Sequence, residues 1–178
     1  SSDTEKVYVT DLSPLQYDYS LERMAMQRAA ELAVCYAHTR PNGELCFSAY
    51  EGPGYYSIGE NIAFGQTSVE EVFTDWAEEN QPYSGQGHRR NMLDSYFTSV
   101  GIGCFKCNGY LFWVQEFAYP ASGAAEDPLT NPVTIEVLEE VISMDTSGGQ
   151  LQIQAGTSMD LADLMSVTDV YSPGLTLS

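Results

Sequence analysis

Basic residues are scarce in this chain. Seven Lys and Arg stand against 25 Asp and Glu in 178 residues, a formal net charge of −18. Such a surface repels nucleic acid and acidic lipid headgroups and accommodates cationic partners and divalent metals. No apolar run approaches the roughly 18 residues that a membrane-crossing helix needs. The opening Ser1-Ser2-Asp3 lacks the charged and apolar regions of a signal peptide, as expected of a cytosolic or an already processed chain. Histidine occurs only at His38 and His88. A Gly-x-Ser-x-Gly elbow is also missing, so Ser84, although near His88, has no recognisable triad around it.

Cysteine is sparse but not absent. Cys35, Cys46, Cys104 and Cys107 allow three fully paired connectivities and could equally remain thiols. Cys104-Phe105-Lys106-Cys107 has no second Cys-x-x-Cys to complete a zinc site, and its hairpin setting is not the strand-to-helix junction of a thioredoxin-like centre. Structural disulfides or plain thiols are therefore expected ahead of redox catalysis. A tight Asn108-Gly109 turn would leave Cys104 and Cys107 on one strand, roughly 10 Å apart and beyond the 7 Å reach of a disulfide. Their pairing would require a wider, distorted loop.

What is present is enough to fold. Hydrophobic residues make up 43% and aromatics 12%, far from the composition of disordered segments. From Leu21, apolar or small residues recur at Met24, Ala25, Ala29, Leu32, Ala33 and Tyr36, which predicts an amphipathic helix capped by Asp18 or Ser20. Arg40-Pro41-Asn42-Gly43 breaks the chain after it and leaves His38 at the helix exit. A Gly- and Tyr-rich loop over 51–59 leads into Glu60-Asn61-Ile62-Ala63, and Ser68-Val69-Glu70-Glu71 reads as a capping box opening a second helix. Val69, Val72, Phe73, Trp76 and Asn80 share one side of that helix. At about 100° per residue, Glu79 falls at the edge of that stripe and Glu78 points away.

A short helix is predicted from His88, after the flexible Gly85-Gln86-Gly87. Residues 99–105 and 110–119 read as strands around Asn108-Gly109, a strong hairpin signal. The acidic, Pro- and Gly-bearing stretch that follows reads as a linker. Domain boundaries are accordingly expected at 1–120 for the main domain, 121–132 for the linker and 133–178 for a β-rich extension without Lys or Arg. That extension is too short for a full sandwich of about 100 residues. It is read as a partial Ig-like module, an edge-strand addition or an exchange element between protomers, the last of which would make an oligomer.

Both histidines lie beside Gly- or Pro-bearing breaks, a placement that suits a cleft. With Glu60 and Glu79 they supply the imidazole and carboxylate mixture that suits Zn²⁺ and related ions. The same residues also fit plain structural roles, with His38 capping a helix, His88 bonding a loop and both glutamates solvated.

Six segments, in order and spacing, resemble the CAP superfamily (cysteine-rich secretory, antigen 5 and pathogenesis-related 1, or SCP-like) in its bacterial secreted branch. They are His38-Thr39-Arg40-Pro41-Asn42-Gly43, Gly59-Glu60-Asn61-Ile62-Ala63, Trp76-Ala77-Glu78-Glu79, Gly87-His88-Arg89-Arg90-Asn91-Met92-Leu93, Val100-Gly101-Ile102-Gly103 and 110–117, so that the likeness covers 15–119. The resemblance implies an α+β fold, a three-layer α-β-α sandwich to which the β-rich extension is added. It implies a secreted or cell-surface protein with disulfides and a metal-binding tetrad carried onto His38, Glu60, Glu79 and His88, with Zn²⁺ ahead of Mg²⁺ or Ca²⁺. The partner expected is an extracellular ligand or cell-surface protein, with no nucleic acid and no transmembrane segment. Two alternatives use the same domain: a metal-dependent, peptidase-like hydrolase with Glu60 or Glu79 as general base, and a binder of lipid or small apolar ligands. Against that resemblance, the family's usual opening helix is expected to be missing or degenerate, since only some 14 residues precede Leu15.

Overall fold

The computed structural model describes residues 8–126 and 135–137 together with the backbone of three later strands. A four-stranded sheet carries the main domain, with β1 (Gln16–Tyr17), β2 (Ser57–Phe64), β3 (Ser99–Cys107) and β4 (Tyr110–Tyr119) in the order β1-β3-β4-β2. β1 runs parallel to β3 and the other pairs are antiparallel. One helix, α1 (Tyr19–Leu32), covers one face; α2 (Val69–Ala77) and the short α3 (Gly87–Met92) lie toward the other. These are the three layers of the expected α+β sandwich.

Helix α1 starts where Asp18 accepts hydrogen bonds from the Ser20 and Leu21 amides. Its buried stripe of Leu21, Met24, Ala25, Ala29 and Leu32 packs with Ile62, Phe112, Val114 and Ala118 of the sheet. Two glycines set how close this helix comes. A Cβ on Gly101 would stand 2.2 Å from the Leu21–Glu22 backbone, and one on Gly103 would stand 2.3 Å from Ala25. Val100-Gly101-Ile102-Gly103 is thus a seat for α1, with Val100 and Ile102 turned to the far side. Helix α2 starts at Ser68, whose hydroxyl accepts from the Glu71 amide, and buries Val72 and Trp76 against Ala63 and Trp113.

The hairpin turns on Asn108 (φ 50°) and Gly109 (φ 87°), the primed two-residue geometry that Asn-Gly favours. Cys107 therefore pairs with Tyr110, and Cys104 with Trp113. Cys107 packs toward the α1 cluster and Cys104 toward the α2 cluster, on opposite faces of one strand. Of the two states left open by the sequence, disulfides or plain thiols, the four cysteines take the second: all are free. The strand β2 was not foreseen as such; its centre, Glu60-Asn61, is polar yet buried.

Beyond the main domain, β5 (Val141–Thr146), β6 (Gly149–Gln154) and β7 (Leu164–Thr168) form their own antiparallel sheet in the order β6-β5-β7. They pair with one another and do not extend the first sheet. No helix precedes β1 among the described residues, and none among them is long and apolar enough to cross a membrane.

Candidate functional site

Strand β2 organises the site because its consecutive residues face opposite layers. Glu60 shares the α1 face with Ile62, and Asn61 shares the α2 face with Ala63. Of the four residues singled out in the sequence, His38 meets Glu60 on one side, while His88 on the other meets Glu78 in place of Glu79.

On the α1 face, the Glu60 carboxylate accepts from Arg28 Nε at 2.8 Å and contacts His38 Nδ1 at 2.7 Å. Arg28 is fully buried in the middle of the apolar stripe of α1. Its guanidinium also donates to Glu31 Oε2 at 2.8 Å and to the Ala37 carbonyl at 2.6 Å, which anchors the residue just before His38. Arg40 closes the far side with bonds of 2.7 and 3.0 Å to Glu31. The loop then folds back through a Thr39–Leu45 bridge, and the Cys46 amide donates to the His38 carbonyl at 3.0 Å. A buried Arg-Glu-Arg ladder thus fixes the position of a largely exposed imidazole.

Burial by itself would raise the Glu60 carboxyl, but hydrogen bonds from His38 and Arg28 and the Arg28 charge hold it at about 2. A carboxylate held that low is a weak base, which disfavours the general-base role considered for Glu60. Directly opposite in the β2–β4 register stands Glu116, fully buried, with neither carboxyl oxygen hydrogen-bonded. Burial first, and then the Glu60 charge, push it well above 4.5. Burial also pushes the Cys46 thiol up to about 12, with the charges of Glu60 and Glu116 adding to it. Among the described residues, one set of three or more has ligand atoms mutually within 4.8 Å: His38, Cys46 and Glu60.

On the α2 face, His88 meets Glu78, and the expectation for Glu79 is corrected. Helix α2 ends at Ala77, and Glu78 takes a left-handed conformation (φ 47°) as its C-cap. The helical phase that placed Glu79 inward therefore no longer applies at that residue. The Glu78 carboxylate turns to the start of α3, accepts from the His88 and Arg89 amides at 3.0 and 3.2 Å, and contacts His88 Nδ1 at 2.5 Å. Glu79 is exposed and lines a cavity of about 340 Å³ with Leu15, Phe73, Arg89, Ile102 and Phe117. Asn61 ties this half to the strand, donating to the His88 carbonyl at 3.1 Å and accepting from Asn91 at 2.8 Å.

Sequence reasoning missed Arg28, Glu31, Cys46, Asn61, Glu78, Asn91 and Glu116. A signal existed for three of them. Arg28 falls on the Leu21, Ala25, Leu32 face of α1, next to the buried turn that carries Glu31, and Glu116 alternates with Phe112 and Val114. A charge on an otherwise apolar face is informative in itself.

Residues 10–117 match the family described as CAP, the cysteine-rich secretory protein family. Over 110 residues the chain is 32% identical to YkwD of Bacillus subtilis strain 168, an uncharacterized protein, covering 60% of this chain and 40% of that one. An outer surface protein of Borrelia burgdorferi has a similar fold, with a TM-score of 0.51 and 20% identity over 60% of this chain and 78% of that one. An extracellular SCP-domain protein of Bacillus anthracis, 24% identical, gives a TM-score of 0.49 over 60% of this chain and 34% of that one. The chain thus spans well under two thirds of the length of YkwD. Because the match to the family takes in more than half of its length, the chain belongs to the CAP, or cysteine-rich secretory protein, family.

Proposed function

We propose that this chain is the CAP domain of a secreted or cell-surface bacterial protein, and that its two carboxylate-backed imidazoles, His38 and His88, are the groups that take up divalent metal. The observation that carries this reading is that each imidazole is already held at Nδ1 by a carboxylate, Glu60 for His38 and Glu78 for His88. A carboxylate behind an imidazole fixes the orientation of the ring and raises its basicity as a ligand, the usual support of protein-bound zinc. Nitrogen donors favour Zn²⁺ over Mg²⁺ and Ca²⁺, which prefer oxygen shells. Membership of a family described as secretory supports placement outside the cell. Calorimetric titration with Zn²⁺ tests the reading. The wild type should bind and His38→Ala/His88→Ala should not; equal binding by both would remove these residues from the site.

A second reading is favoured by the cavity beside α2. Its volume of about 340 Å³ and its lining of Leu15, Phe73, Met92, Val100, Ile102 and Phe117, with Glu79, Arg89 and Gln115 as polar groups, suit a small, largely apolar ligand. A fluorescent fatty acid should bind the wild type and be weakened by Ile102→Asp. Failure of the probe to bind the wild type would sink this second reading.

A further inference from the structure

We propose that Cys46 is a metal ligand, so that the ion on the α1 face is held by an imidazole nitrogen of His38, the thiolate of Cys46 and the carboxylate of Glu60. The inference rests on the metal-binding reading above and changes its donor set: one ligand is sulfur, and the site is selective for Zn²⁺ and softer ions.

Three observations converge on it. The first is placement. The Arg40-Pro41-Asn42-Gly43 turn folds the chain back on itself, and the Cys46 amide donates to the His38 carbonyl at 3.0 Å, so residues eight apart in sequence stand side by side. The loop is bolted from both ends by Arg28 and Arg40, which makes the juxtaposition a built feature of the domain.

The second is distance. The three ligand atoms lie within 4.8 Å of one another, and the His38 and Glu60 atoms are already at 2.7 Å. With metal–sulfur and metal–nitrogen bonds of about 2.3 and 2.0 Å, ligand atoms around a tetrahedral ion stand roughly 3.3 to 3.6 Å apart. The present separations bracket that range, the His38–Glu60 contact being shorter than it and 4.8 Å the upper bound of the set.

The third is an orphaned acid. Glu116 is fully buried on the same sheet face, opposite Glu60 in register, and neither of its carboxyl oxygens has a hydrogen-bond partner. The cluster of Cys46, Glu60 and Glu116 has one buried cation nearby, Arg28, and that guanidinium is divided between Glu60 and Glu31. Two buried carboxyls, Glu60 and Glu116, thus face one another beside a single shared guanidinium, and a divalent cation held by Glu60 adds positive charge to that cluster.

Binding balances simply. The Cys46 thiol loses its proton to solvent as the sulfur–metal bond forms, while the imidazole and the ionised Glu60 contribute lone pairs, so one proton leaves per ion bound.

Cobalt(II) substitution provides the test, because a cobalt–thiolate bond gives a near-ultraviolet charge-transfer band that nitrogen and oxygen ligands do not. The full chain, kept reduced, is titrated with Co²⁺ and then with Zn²⁺. The expected result is a charge-transfer band in the wild type and in a Cys35→Ser/Cys104→Ser/Cys107→Ser variant, its loss in Cys46→Ser and its displacement by Zn²⁺. His38→Ala, at an exposed position, should weaken the Co²⁺ affinity read by the band roughly tenfold or more. That variant keeps the proposal falsifiable if Cys46→Ser does not fold. Visible ligand-field bands without a charge-transfer band would overturn the role of Cys46 and leave the metal-binding reading standing. A band that survives Cys46→Ser, or is unmoved by His38→Ala, overturns the role as well. No Co²⁺ or Zn²⁺ uptake at all would overturn both.

Discussion

Glu116→Gln should stabilise the metal-free protein at neutral pH and lose that advantage in acid. The native side chain is fully buried on the α1 face of β4, with both oxygens unpartnered and Glu60 directly across the strand pair. Burial, and then the Glu60 charge, hold its carboxyl well above 4.5, so the folded protein retains a proton that the unfolded chain gives up. A folded-state value raised in this way gives a contribution that is complete below about pH 4.5 and is lost as pH climbs toward the folded value. Each pH unit within that window removes about 1.4 kcal/mol, or roughly 5 °C of Tm in a domain of this size. Gln has nearly the same shape and no proton to lose, so the slope disappears. Thermal melts followed by circular dichroism from pH 4 to 8 in the presence of a chelator measure it directly. The gap between variant and wild type should widen with rising pH across the window. A gap that is flat, or a wild type that gains on the variant as pH rises, would refute a protonated Glu116.

Arg28→Met leaves Glu31 and Glu60 buried without their shared cation, and breaking a buried pair in this way costs about 3 to 5 kcal/mol. Guanidinium unfolding at pH 7 should show that loss; a change under about 1 kcal/mol would mean that water replaces the guanidinium. Because Glu60 is held at about 2, below 4.5, its ion pairs stabilise the fold above pH 4.5 and fade as pH falls toward 2. The Arg28→Met penalty should shrink over that range. Gly103→Ala would place a Cβ 2.3 Å from the Ala25 backbone, an overpacking worth about 3 kcal/mol or more, seen as a lowered midpoint of unfolding. Glu78→Gln should weaken Zn²⁺ binding about 10- to 100-fold while Glu79→Gln leaves it unchanged, and equal effects in calorimetry would deny Glu78 its orienting role.

The layers of the fold were legible wherever hydrophobic burial dictates them. The stripe from Leu21 to Leu32, the Ser68 capping box and the Asn108-Gly109 hairpin all express local rules, and each stands where its pattern places it. Strand β2 was not legible because its inward positions are filled by Glu60 and Asn61, which are kept inside by polar partners far away in sequence. Periodicity registers apolar surface and is blind to a carboxylate satisfied by an arginine 32 residues earlier.

The Glu78 and Glu79 pair shows the limit more sharply. A helical wheel places Glu79 inward only while the helix continues, and α2 ends at Ala77. Its end is tied to contacts made elsewhere: Glu78 satisfies the first amides and the imidazole of α3, and Arg89 donates back to the Ala77 carbonyl at 3.0 Å. Those bonds stabilise a left-handed residue that ordinarily favours glycine. Which of two adjacent acids meets His88 is thus decided by the docking of α3 on β2 through Asn61 and Asn91, a tertiary event with no trace in the local pattern. The same holds for Cys46, whose place beside His38 and Glu60 depends on a turn, two arginines and a buried glutamate acting together. Residues that carry chemistry here are those whose positions the polar network determines, which is why they were the hardest to read from the chain alone.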